Sequence, residues 1–157
     1  MFKKMFTRFS KVVAAGLVLS FMFLVPGAEA SHWGLSGGLQ THDPTIVRES
    51  GNTWWSASTG TGIGMKYSTN GGKTWTDGLP IFSQPLSWWK KYAPNMTTND
   101  VWAPDLEYYR GRYYCYYSVS EFGKNNSAIG LVSCSSISKG DWRDDGVVLY
   151  SRYGSSK

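Results

Sequence analysis

The sequence predicts an all-β fold assembled from repeated four-stranded units. Three observations carry that prediction. Two stretches of the chain align with each other at a spacing of about sixty residues. Within each, Gly-centred turns separate short runs rich in Tyr, Trp, Val and Ser, the composition of strands. Nothing after Ala30 sustains apolar i, i+3, i+4 spacing over three turns, so helices have little support.

Taken in order, the chain opens on a segment outside the fold. Lys3, Lys4, Arg8 and Lys11 form a basic start, Val12 to Val25 is apolar apart from Ser20, and Ala28-Glu29-Ala30 is a small-x-small cleavage signal. The apolar run falls short of the roughly 20 residues a membrane span needs. Residues 1–30 therefore read as a secretory leader, and residues 31–157 as the domain. Removing the leader takes 16 basic and 11 acidic residues to 12 and 10, so the formal charge of +5 falls to +2. No Lys/Arg-rich run of the kind a phosphate backbone demands remains, which argues against nucleic acid. All eight Trp and all ten Tyr lie after Ala30. Such a surplus of flat, amphipathic rings suits a secreted β protein that stacks sugars, although most of the rings belong to its core.

The first unit runs from His42 to Phe82 and the second from Pro104 to Tyr150. Asp43-Pro44-Thr45-Ile46-Val47 aligns with Asp105-Leu106-Glu107-Tyr108-Tyr109, Gly51 to Ser58 with Gly111 to Ser118, and Gly62 to Ser68 with Ala128 to Cys134. Trp75 then meets Trp142, and Asp77-Gly78 meets Asp145-Gly146. The leading aspartates are 62 residues apart. A period of that size, with about four short strands per copy, describes blades of a β-propeller. Two blades cannot close a ring, so the chain is expected to be the front part of a longer protein.

Several local features complete the pattern. Ser68 to Trp75 is a compact hairpin turn similar to an Asp-box, with Asn70 where Asp is usual and Gly71-Gly72 supplying positive φ. The non-repeating insert Gln84 to Thr98 carries Trp88 and Trp89, which read either as a lid over the unit or as aromatic platforms for a ligand. Pro104 is expected to hold Ala103 extended, so that Asp105 is presented from extended backbone. Cys115 and Cys134 lack metal-ligand spacing. A hairpin around Gly123–Asn126 would set them nearly opposite each other, as a cross-strand disulfide or as two buried thiols.

In a propeller the innermost strand of each blade faces the axis, so Asp43 and Asp105 would converge on a central channel. Carboxylates gathered from separate blades are what glycoside hydrolysis needs, one as general base and one as general acid.

The motifs His42-Asp43-Pro44-Thr45-Ile46, Val101-Trp102-Ala103-Pro104-Asp105 and Tyr116-Tyr117-Ser118-Val119-Ser120-x-Phe122-Gly123, continuing through Asn126-Ser127-Ala128-Ile129-Gly130-Leu131, together resemble glycoside hydrolase family 43. They look most like its secreted bacterial endo-1,5-α-L-arabinanases. The resemblance implies a five-bladed propeller that inverts configuration while cutting α-1,5-linked arabinan, a polysaccharide partner. It implies extracellular action, as a monomer when full length. By position Asp43 matches the general base. Asp105 matches a supporting residue near the pocket, and Phe122, Asn126 and Ser127 line the substrate cleft with Trp102 close by. The family's general acid and its pKa-modulating aspartate are expected in later blades. Neither Glu107 nor Glu121 stands where the family places its acid, so this chain alone is expected to be inactive. No cofactor is required by this sequence and no metal ligands are assigned in it; the family often holds calcium on the axis of the complete ring. Two rival readings remain: a β-xylosidase or α-L-arabinofuranosidase of the same family, and a non-catalytic carbohydrate-binding propeller.

Overall fold

The computed structural model describes residues 34–151; the leader assigned to residues 1–30 lies outside the described residues. Two antiparallel sheets follow one another along the chain. The first contains β2 (Thr45–Ser50), β3 (Thr53–Ser58), β5 (Gly64–Ser68) and β6 (Thr74–Asp77), with β1 (Ser36–Gly37) added in parallel at the outer edge. The second contains β7 (Asp100–Tyr109), β8 (Arg112–Ser120), β9 (Ser127–Cys134) and β10 (Arg143–Tyr150). Its inner edge is extended by β4 (Gly60–Thr61), which leaves the first sheet to pair with Val101 and Asp100. Each unit is thus the expected meander of four strands with a fifth at one edge, and the fifth strand of the second sheet comes from the first unit.

The turn at Ser68–Trp75 forms as its sequence dictates. Asn70 Oδ1 accepts from Ser68 Oγ and from the Thr74 amide, both at 2.9 Å, and Trp75 Nε1 donates to the Gly72 carbonyl at 2.9 Å. Gly71 and Gly72 take φ of 75° and 86°, where a side chain would be strained.

Two expectations change, and one open alternative is resolved. First, Ala103 is not extended: its φ is 45°, in the left-handed region. Its amide donates to Thr59 Oγ1 at 2.8 Å, a contact between the units that outweighs the pre-proline preference. Second, the copies align two residues away from the sequence-based register at their heads. Thr45 pairs with Ala57 as Asp105 pairs with Tyr116, while Trp54 faces Ser68 as Tyr113 faces Cys134. Asp105 is therefore the counterpart of Thr45, and Ala103-Pro104 is the counterpart of Asp43-Pro44. The backbone agrees, with φ of 47° at Asp43 and 45° at Ala103. An extra residue at the irregularity between Arg48 and Ser50 absorbs part of the offset. Third, Cys115 faces Val132 while Cys134 faces Tyr113, so the thiols lie diagonally on one buried face and both are free. Burial pushes each thiol up to about 12, leaving no thiolate near neutrality.

The core fills the space between the sheets. Ala57, Ile63 and Met65 from the first meet Leu106, Cys115, Tyr117, Val119 and Val132 from the second. Over them sits the insert, whose short helix α1 (Trp89–Tyr92) closes the top of the interface. Trp89 is wholly buried, edge-on to Phe82 at 5.1 Å, and its indole N–H donates to Tyr117 Oη at 3.3 Å. Trp88 packs beside Tyr117 at 6.4 Å and donates to Asp144 Oδ2 at 3.1 Å. The pair is a lid; neither ring is an open platform.

At the opposite end of the strands, Glu49 clasps the two units. Its carboxylate accepts from Trp55 Nε1 at 2.7 Å within the first unit. It also accepts from Ser136 Oγ at 2.7 Å, the Ser138 amide at 3.0 Å and Ser138 Oγ in the second. Partial burial would raise its pKa, but these donors favour the charged form and hold it below the usual glutamate value of 4.5. A depressed folded-state value means the clasp contributes fully above the unfolded pKa and is lost as pH falls through the lower one. Thermal stability is expected to drop on acidification below about pH 4.5, and Glu49→Gln should flatten that part of the profile. Melting curves from pH 7 to pH 3 check this.

Candidate active site

Asp43 stands at the axial end of β2, just before the strand begins. An antiparallel register that pairs Thr45 with Ala57 sets Asp43 opposite Thr59, and the backbone bond from the Thr59 amide to His42 carbonyl, 2.9 Å, fixes that geometry. Thr59 Oγ1 donates to Asp43 Oδ2 at 2.9 Å while accepting the Ala103 amide at 2.8 Å. His42 Nδ1 lies 3.1 Å from the same oxygen. Asp43 Oδ2 is thus held by two groups of the first unit, one of them braced in turn by the Ala103 amide of the second, and Oδ1 has no protein partner among the described residues. The left-handed φ at Asp43, a conformation that Asp tolerates better than most residues, turns its carboxylate out of the ladder. The side chain is about half exposed.

Beside Ala103 a second feature opens. Trp102 and Phe122 meet edge to face with ring centroids 6.4 Å apart, and Phe122 is 91% exposed. Their cleft, about 510 Å3, is walled on one side by Asn95–Thr98 and Asp100 and on the other by Ser120, Glu121 and Lys124. An exposed ring crossing a half-buried one presents a flat apolar face of the kind that a sugar covers.

The other residues singled out by sequence fall as follows. Asp105 is exposed on β7 and is not among those lining this cleft. Asn126 is buried beneath it, donating Nδ2 to Glu121 Oε2 at 3.1 Å. Ser127 starts β9, with its hydroxyl 2.6 Å from that of Ser120. Sequence reasoning missed three groups. The Thr59 hydroxyl and the Ala103 amide were open to inference from the β2–β3 register. Glu121 was not: it accepts from the Asn95 amide at 2.8 Å and from Asn95 Nδ2 at 3.1 Å, 26 residues away with no repeating pattern to relate them. That contact ties the Phe122 loop to the insert. The Asn95 bonds are the main reason its carboxyl sits below the usual glutamate range. Glu121→Ala is expected to weaken oligosaccharide binding in the cleft while leaving the melting temperature near its starting value. Titration beside a melting curve separates the two effects.

Among the described residues no three His, Cys, Asp or Glu side chains converge. None of these residues is assigned to the calcium that the resemblance puts on the axis of a complete ring.

The two blades thus hold a braced, half-free carboxylate and, beside Ala103, an exposed aromatic cleft. Residues 38–156 match the family described as glycosyl hydrolases family 43, and the chain belongs to that family. It is 47% identical over 157 residues to the extracellular endo-alpha-(1->5)-L-arabinanase 1 of Bacillus subtilis, covering 95% of this chain and 46% of that protein. It is 38% identical over 117 residues to the extracellular exo-alpha-(1->5)-L-arabinofuranosidase ArbA of Cellvibrio japonicus, covering 72% of this chain and 33% of that protein. Among solved structures, the endo-arabinanase of Bacillus licheniformis superposes with a TM-score of 0.72 at 50% identity, covering 78% of this chain and 42% of that one. A Cellvibrio cellulosa alpha-L-arabinanase complexed with arabinohexaose gives 0.67 at 36% identity, covering 73% and 36%. Family-43 arabinanases are five-bladed β-propellers, and this chain corresponds to part of such a ring. It spans less than half the length of each of these relatives.

Proposed function

We propose that this chain supplies two adjacent blades of a secreted, configuration-inverting arabinan hydrolase, with Asp43 as general base. The observation that carries the reading is the asymmetry of the Asp43 carboxylate: Oδ2 is pinned by Thr59 and His42, and Oδ1 is left open at the axial end of the strand. A carboxylate fixed through one oxygen can orient a water through the other and take its proton as the water attacks the anomeric carbon. The Trp102–Phe122 cleft would hold neighbouring furanose rings and so set the glycosidic bond over that water. Inversion calls for a second carboxyl group about 6.5–9.5 Å from the first, protonated, to release the leaving oxygen. No described residue is assigned that role. The 157-residue chain alone is therefore expected to bind arabino-oligosaccharide without cutting it.

The reading is tested by titrating the chain with arabinohexaose and with xylohexaose. Preferential binding of arabinohexaose, weakened about tenfold by Phe122→Ala, supports it; that change corresponds to about 1.4 kcal/mol, the scale of one lost ring contact. Equal affinity for the two sugars would remove arabinan as the substrate class.

A further inference from the structure

A second recess lies between the blades at the end away from Asp43. Its volume is about 590 Å3, within the range of about 300–1,000 Å3 typical of small-molecule sites. Strand directions place it. The recess is lined by Trp55 and Tyr67, near the turn end of the first blade, and by the Ile137–Gly140 connection that follows β9 in the second. Asp43 precedes β2 at the other end of the same ladder.

The lining has the chemistry of a saccharide site. Trp55 and Tyr67 form one wall, ring centroids 5.4 Å apart and tilted by 40°, and Trp142 faces the recess from the other blade. The Trp55 ring is already oriented, because Glu49 holds its indole N–H at 2.7 Å, so little rotamer freedom remains to be lost on binding. Buried Met65 and Ile137 floor the recess. Polar groups stand at its edge. The Lys139 ammonium forms no ion pair among the described residues, and the Trp142 indole N–H, unlike those of Trp55, Trp75, Trp88 and Trp89, has no acceptor among them. Asp77, paired with Lys66, contributes a carboxylate. Leu79, 89% exposed, forms the lip. Apolar ring faces interleaved with donors and one acceptor match a chain of neutral sugars, whose carbon faces stack and whose hydroxyls exchange hydrogen bonds.

We infer that this interblade recess is a second, non-catalytic oligosaccharide site, lined by Trp55, Tyr67 and Trp142, which holds a further stretch of the polymer remote from Asp43. That its ligand is an arabino-oligosaccharide rests on the function proposed above; the site itself rests on the recess. The test titrates the full chain with arabinohexaose by calorimetry. Phe122→Ala weakens the axial site about tenfold, and in that background arabinohexaose should still bind at the recess with about one site per chain. Adding Trp142→Ala to that background should weaken the remaining binding at least tenfold. Leu79→Arg, which alters only the exposed lip, should do the same without touching the fold. Residual binding indifferent to both Trp142→Ala and Leu79→Arg would overturn the inference, as would complete loss of binding on Phe122→Ala alone. In that last case the axial reading stands and only the second site falls. If the unsubstituted chain binds no arabinohexaose, the arabinan reading falls and takes this ligand with it.

Discussion

Replacing Asp43 with asparagine is expected to cut arabinan hydrolysis by about 10²–10⁴-fold, the usual worth of a positioned general base, while leaving arabinohexaose binding unchanged. Asparagine is the informative substitution. It tolerates the left-handed φ of 47° at this position, and its amide oxygen can still accept from Thr59. Backbone and brace survive, and only the basic oxygen is lost. The assay needs a complete ring, which a chimera provides: residues 34–151 in place of the matching segment of the Bacillus subtilis relative, with which the chain shares 47% identity. A lowered kcat with KM preserved would identify an interaction made in the transition state. Undiminished hydrolysis would take Asp43 out of the mechanism.

Trp89→Ala should have the largest effect on folding. The ring is wholly buried, edge-on to Phe82 and hydrogen-bonded to Tyr117. Truncating a buried Trp costs about 3–5 kcal/mol through lost contacts and the cavity left behind. Domains of this size are stable by only about 5–15 kcal/mol, so the variant should unfold at a much lower urea concentration. Trp89→Phe should fall between, keeping the edge-to-face contact and losing the bond to Tyr117. A midpoint for Trp89→Ala equal to that of the unsubstituted chain would mean that the insert does not hold the blades together.

Strands and site were legible to different degrees. The two meanders could be read from Gly-centred turns and alternating aromatic runs, because strand periodicity is written locally. The repeat placed Asp43 at the head of an inner strand, whereas its role as base came only from the family resemblance. Ala103 was misread. Local sterics favour extended backbone before proline, and only a bond from another blade, to Thr59, reverses that preference. The heads of the two copies misaligned because matching Asp to Asp is natural in a string of letters. The ladder instead follows hydrogen bonds, and it sets Asp105 opposite Tyr116 in the place that Thr45 holds opposite Ala57. The clasp from Glu121 to Asn95 was invisible because it joins two irregular segments with no period of their own.

The matched kinks at Asp43 and Ala103 carry one more lesson. Duplicating a blade copies the pedestal as well as the ornament, and here the second pedestal stands with only a methyl group on it. Two blades made this way hold one spare mounting point beside the carboxylate, its backbone already bent in the same way. New reactivity can then arrive by a single exchange of residue, with no need to redraw the chain beneath it.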